Sequence, residues 1–273
     1  MRKFVAALFT VAISTIGASA ADLPVRTYTK APAAVAPVYN WTGFYIGGTA
    51  GGAWTKADVG LDTVNGAPAL YRPGDIPALN ALGSPSLSGS EAIFGGKIGF
   101  NKQWNSYVAG LEGDFSSFRF NKSASATGNP FTSPPAFAFG SAEFNTNVST
   151  NWLATVRARA GYAVDRVFFY ATAGAAFAKV DFSNTYHAFS PGGRGFDDEA
   201  TSASKTKVGW VAGGGIDYAL TTNWIVSAEY LHVDLGSIET SGLATTGGAA
   251  NATFNFSTKL KSDIVRGGIA YKF

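Results

Sequence analysis

The sequence predicts an all-β protein, an eight-stranded antiparallel up-and-down transmembrane β-barrel with short periplasmic turns and four long external loops. Three observations lead there. Period-two alternation recurs in eight segments. The connectors between the segments alternate strictly between short and long. The apolar face of each segment tends to carry an aromatic residue near its ends, while the opposite face collects charges. Composition agrees, because only 14% of residues are charged, against roughly 25% in an ordinary soluble domain. Beyond the first residues no apolar run is long enough for a membrane-spanning helix. The chain has no cysteine, which excludes disulfides, thiolate chemistry and cysteine-based zinc sites. A formal charge of +3 gives no footprint for a nucleic-acid partner.

Taken in order, Met1-Arg2-Lys3 is a positive start, Phe4 to Ile16 is apolar, and Gly17-Ala18-Ser19-Ala20 offers an A-x-A cleavage pattern. Residues 1–20 are therefore expected to be a secretory signal peptide. Residues 21–40 hold Pro24, Pro32 and Pro37 among alanines, which suits an extended segment. The barrel is expected over 41–273, with strands near 42–55, 91–104, 107–121, 147–163, 167–184, 205–220, 224–235 and 258–273. Asn105-Ser106, Val164-Asp165-Arg166 and Thr221-Thr222-Asn223 are hairpin-length turns. The connectors 56–90, 122–146, 185–204 and 236–257 are rich in Gly, Ser, Thr, Asn and Ala, and are expected as the external loops.

The faces decide orientation. In the last segment Val265, Gly267, Ile269, Tyr271 and Phe273 share one face. In the fourth, Trp152, Ala154, Val156, Ala158, Ala160 and Tyr162 oppose Leu153, Thr155, Arg157, Arg159 and Gly161. A soluble barrel shares the period but would hold its apolar face inside. Its other face would carry Lys97, Glu112, Asp114, Arg157, Arg159, Asp217, Glu229 and Arg266, four basic and four acidic residues. Facing a narrow lumen, these eight are expected to pair into a network that fills it, since buried charges are costly unless paired. The alternative is that they line a small pore.

The chain resembles the alphaproteobacterial outer-membrane immunogenic protein family, related to the OmpA-type eight-stranded barrel domain. The resemblance lies in Ala21-Asp22-Leu23-Pro24 after the leader, in Asn40-Trp41-Thr42-Gly43-Phe44-Tyr45-Ile46-Gly47-Gly48, in Asn151-Trp152-Leu153 with Arg157, Arg159, Gly161 and Tyr162, and in the final Tyr271-Lys272-Phe273. It implies an integral barrel of the bacterial outer membrane with a structural, antigen-like surface role in the cell envelope. The group's names also include porin, and some members bind haem, so a small porin-like channel and a surface haem- or ligand-binding protein stand as alternatives. By the same resemblance, Tyr271 and Phe273 form a C-terminal signal for the barrel-assembly machinery. The expected partners are outer-membrane lipid, that machinery, and host or surface ligands reached through the loops. No cofactor and no enzymatic activity are expected.

The remaining motifs weigh little. The runs Gly47-Gly48-Thr49-Ala50-Gly51-Gly52 and Gly213-Gly214-Gly215 lack the Walker lysine and open no helix, so close strand packing accounts for them. His187 and His232 are the two histidines and would be the haem ligands if haem bound. His232, Asp234 and Ser237 make a nominal hydrolytic set, but nearness in sequence does not build a triad.

Overall fold

The computed structural model describes residues 39–131, 140–189, 195–245 and 251–273, and for residues 195–198 the backbone alone. The leader expected over 1–20 and all but the last two residues of the 21–40 segment lie outside the described residues. The chain forms β1 (Gly43–Asn65), a short helix α1 (Ile76–Leu82), β2 (Ser86–Trp104), β3 (Tyr107–Gly128), β4 (Ser141–Val164), β5 (Val167–Phe189), β6 (Gly195–Ala219), β7 (Trp224–Thr245) and β8 (Asn251–Lys272). The strands pair antiparallel in sequence order, and β8 returns to β1 to close the ring. At two of the tight turns Asn105 and Asp165 adopt φ of 53° and 48°, a left-handed conformation that Asn and Asp tolerate better than most residues.

Outward-facing side chains form an apolar band between two aromatic rims. Phe44, Trp104, Tyr107, Tyr162, Tyr218, Trp224, Tyr271 and Phe273 mark the turn end; Trp54, Phe94, Phe115, Trp210 and Tyr230 mark the other rim. Along β4, Trp152 and Tyr162 stand ten residues apart. At about 3.3 Å per residue and a tilt near 40°, that is a height of roughly 25 Å, the thickness of the apolar band of a membrane barrel.

The strands are much longer than the band requires, with 19 residues in β2 and 25 in β6. Much of 56–90, 122–146, 185–204 and 236–257, expected as connectors, is strand. Beyond the outer rim each strand keeps its inside and outside but exchanges their polarity. On β1 the outward series Phe44, Ile46, Trp54 gives way to Lys56 and Asp58, while the inward series passes from Tyr45 to Ala53, Ala57, Val59 and Leu61. The band meets lipid; the projecting part meets water, and so folds like a soluble sheet protein.

That part is a two-layer sandwich. The β2–β3 ladder ends at Ile93↔Phe118 and the β6–β7 ladder at Trp210↔Asp234, whereas the other six continue well beyond this level. Two four-stranded sheets result, β7-β8-β1-β2 and β3-β4-β5-β6, facing each other across Phe182–Phe256 (ring centroids 5.4 Å), Tyr186–Phe254 (4.9 Å) and Phe144–Phe254 (6.0 Å). Irregularities bend the strands at this level: register shifts fall between Ser117 and Phe120, between Thr150 and Leu153, and between Asp234 and Ser237, where Gly236 has φ of 69°. Residues 66–85 cover the open end. Tyr71 donates its hydroxyl hydrogen bond to Tyr186 (2.9 Å), and Leu79 of α1 is wholly buried.

Phe254 lies at the centre of this sandwich with no exposure. Phe254→Ala is expected to destabilise the projecting part by about 3–5 kcal/mol and to leave insertion intact. Urea unfolding of the refolded protein, set beside its gel mobility with and without boiling, measures both effects.

Candidate functional site

Within the apolar band the lumen is filled by charge. Inward positions on β2, β3, β4, β6, β7 and β8 bring Lys97, Glu112, Asp114, Arg157, Arg159, Asp217, Glu229 and Arg266 together, and every one of them is buried. Arg157 is the hub. Its Nη1 reaches Glu229 Oε1 at 2.6 Å, and its Nη2 reaches Glu112 Oε1 at 2.5 Å and Asp114 Oδ2 at 3.1 Å. Arg266 joins Asp114 Oδ1 (3.0 Å) to Glu229 Oε2 (2.8 Å) from the opposite side. Arg159 holds Glu112 Oε2 at 3.1 Å and donates to Asp217. Lys97 Nζ stands 3.7 Å from Glu112 Oε2 and donates to Ser227 Oγ at 3.2 Å. Planar guanidinium groups suit this role, because their forked donors engage several carboxylates at fixed angles.

Neutral groups complete the network. Tyr45 donates to Glu112 Oε2 (2.8 Å) and accepts from Arg159 Nη1 (2.9 Å). Thr155 donates to Asp114 Oδ2 (2.5 Å) and accepts from Arg157 Nε (3.0 Å). The guanidinium of Arg159 lies 3.9 Å from the Tyr170 ring centroid, a close cation–π contact. Sequence reasoning about site residues missed Tyr45, Thr155 and Tyr170. The signal was present, since each lies on its strand's inward parity, Thr155 two residues from Arg157 and Tyr45 two from Gly47.

Apolar seals stand on both sides of the charges. At the turn end the chain before β1 enters the mouth: Trp41 is wholly buried, its ring 4.8 Å from Tyr39 and 5.4 Å from Phe168. Its backbone amide donates to Gln103 Oε1 (2.7 Å), and Lys272 Nζ donates to the carbonyl of Asn40. On the outer side Ile93, Leu153, Val211, Leu231 and Ile264 begin the apolar core of the sandwich.

The two histidines do not converge. Through β6, His187 stands opposite Asp198 and His232 opposite Ala212. Those positions are fourteen residues apart on one strand, roughly 45 Å, so the pair cannot ligate one haem iron. His232 lies on the outer surface beside Trp210, with Nδ1 2.8 Å from Asp263 Oδ1. Asp234 instead accepts from the Gly236 amide (2.8 Å) and faces Lys261 (3.5 Å), so the His232, Asp234, Ser237 set is not assembled. Tyr271 and Phe273 pack edge to face at 5.2 Å on the turn-end rim.

Residues 9–273 match the family model described as the outer membrane protein beta-barrel domain. The chain belongs to this outer-membrane β-barrel family. The barrel is similar to the 31 kDa outer-membrane immunogenic protein of Brucella melitensis, 32% identical over 96% of each chain. It is similar to the 25 kDa outer-membrane immunogenic protein of Brucella abortus, 29% identical over 89% of this chain and 84% of that one. It also matches the 22 kDa outer membrane protein of Rhizobium leguminosarum, 26% identical over 75% of this chain and 69% of that one. The protein is therefore an integral outer-membrane barrel, and its apolar band is the surface that lipid covers.

In this outer-membrane barrel, Arg157→Leu leaves Glu112, Asp114 and Glu229 buried without their shared cation. Breaking a buried pair from one side costs about 3–5 kcal/mol. The variant is expected to unfold at clearly lower urea concentration than the parent, as followed by tryptophan fluorescence in detergent micelles.

Proposed function

We propose that this protein is a non-conducting, non-enzymatic outer-membrane barrel whose work is to hold a projecting β-sandwich at the cell surface. The observation that carries this reading is the position of Arg157. It is wholly buried in the middle of the lumen and bound to carboxylates from β3 and β7, where a conducting path would need water. The apolar seal around Trp41 and the sandwich core support the same reading, and an eight-stranded ring leaves an interior about wide enough for side chains alone. Roughly ten residues of each strand suffice to cross the band; the remaining dozen or so carry the sandwich roughly 30 Å beyond the outer rim. A sandwich at that height is within reach of antibodies and external ligands, and relatives named as outer-membrane immunogenic proteins support this reading.

Refolded protein in liposomes is expected to leave them as tight to small sugars as protein-free vesicles. Swelling at a porin-like rate would overturn the non-conducting reading.

The second part of the proposal concerns assembly. Tyr271 and Phe273 are exposed at the turn-end rim, beside the β1–β8 pairing that closes the ring, and this exposure supports their being read by the barrel-assembly machinery before closure. Deleting Phe273 is expected to lower the amount of heat-modifiable protein in the outer membrane several-fold, with leader removal unaffected. Normal assembly of the shortened chain would remove this role.

A further inference from the structure

The two interrupted ladders leave two seams in the projecting sandwich, and the chain closes them differently. At the β6–β7 seam, Lys205 and Lys207 share the inward parity of Thr201 and Val211. They turn across the gap and donate to the carbonyl oxygens of Glu239 (3.0 Å) and Ser237 (2.6 Å). Inward-pointing lysines are one of the ways proteins blunt an open strand edge. Among the described residues the β2–β3 seam has no such caps. There β2 presents Ser86 to Ala92 and β3 presents Phe120 to Gly128, each paired only on its far side, to β1 and β4, with Arg119 in the register shift just below. Among the described residues one ion pair crosses this seam, Lys122 Nζ to Glu91 Oε1 at 3.0 Å. The lysine lies over Gly89, where a Cβ would come within 2.3 Å of its Cε. Both partners are partly exposed, so the pair holds the seam weakly. The outward side chains turn away from it: Asn121 bonds Asn147, Ser125 bonds Asn145, and Ser86 bonds Asp58.

We infer that the β2–β3 seam is a docking site for an extended peptide strand that bears a carboxylate at its membrane-proximal end. The seam's side chains are mostly Ser, Ala, Gly and Thr, too short and too uncharged to select a partner themselves. What they expose is a row of main-chain donors and acceptors with the repeat of an extended strand. Another extended polypeptide matches that row; a glycan or an acyl chain does not. One charge sets direction. Arg119 stands exposed at the base of the seam, on the outward parity, and has no partner among the described residues. A carboxylate on the incoming strand completes it. This inference rests on the surface role proposed above, but peptide binding and lumen conductance are read by separate measurements, so either can fail alone.

The test uses the full protein in lipid nanodiscs and a capped ten-residue peptide of alternating Thr and Val with Asp at one end. The peptide is expected to slow amide exchange about tenfold along Ser86–Ala92 or Phe120–Gly128, with the β6–β7 seam unchanged. N-methylation of alternate residues on its pairing edge should weaken binding by at least about tenfold, since it removes the donors. Asp→Asn in the peptide should weaken binding several-fold, and Arg119→Gln in the protein should abolish that difference. Ala124→Lys, which imitates the caps of the other seam, should block binding while the mobility shift on boiling shows an assembled barrel. Equal binding of methylated and unmethylated peptides, protection elsewhere, or no binding at all overturns the inference. So does protection of these amides that rises with protein concentration in the absence of peptide, which assigns the seam to a second copy of the chain.

Discussion

An eight-stranded ring in lipid has no spare interior. Closure satisfies the backbone groups that lipid cannot, and the same closure leaves a lumen about wide enough for side chains alone. Every inward residue must then be packed or paired. In the band the outward parity is given over to lipid contact, so polar residues are confined to the inward one, where charge is tolerable only if neutralised. Four cations and four anions meet that condition. The network draws on every strand: Tyr45 from β1, Lys97 from β2, Glu112 and Asp114 from β3, Arg157 and Arg159 from β4, Tyr170 from β5, Asp217 from β6, Glu229 from β7 and Arg266 from β8. No strand can leave the ring without breaking a bond at its centre.

Beyond the outer rim the constraint reverses because the solvent does. Water now lies outside, so the inward parity becomes apolar and the sheets approach until their aromatics touch. Packed sheets stand about 10 Å apart, closer than opposite walls of a round barrel allow. The ring flattens, and a flattened ring has two tight corners. The ladders part at those corners, and the bulged residues of β3 and β7 lie beside the points where pairing stops. The seams are thus a geometric consequence of placing a sandwich on top of a barrel.

The band was legible because its alternation is simple: one parity meets lipid, the other a charged lumen, and both the strand count and the eight charges follow from it. The outer half was not, for two physical reasons. On β1 the outward residues turn from apolar to charged at Lys56, so a continuous strand imitates the start of a polar loop. On β4 and β7 a bulge shifts the parity itself. Inward residues are odd-numbered from Leu153 to Arg159 but even-numbered from Ala142 to Thr150, and on β7 they change from Leu235 to Ile238. A period-two reading therefore ends segment seven at 235, where the bulge begins, although the strand continues to Thr245. The seal at Trp41 was hidden differently: it depends on the chain folding back into the mouth before β1 begins, which alternation does not encode.

The two seams show how unevenly one sheet protein can treat equivalent edges. Both arise from the same flattening and both face water, so both carry the same hazard of pairing with a foreign strand. On β6 the hazard is met by two lysines whose aliphatic stems cross the gap and whose ammonium groups occupy β7 carbonyls. Lysine is not a residue that an apolar sandwich needs at an inward position, and these two are placed where they reach the neighbouring edge. On β3 the corresponding inward positions hold Ala124 and Ala126, with Lys122 engaged by the carboxylate of Glu91 and not by a main-chain carbonyl. The difference is one of residue type at matched inward positions of the two corners. It comes from the sequence, and it leaves one seam with its main-chain groups uncapped by any side chain among the described residues.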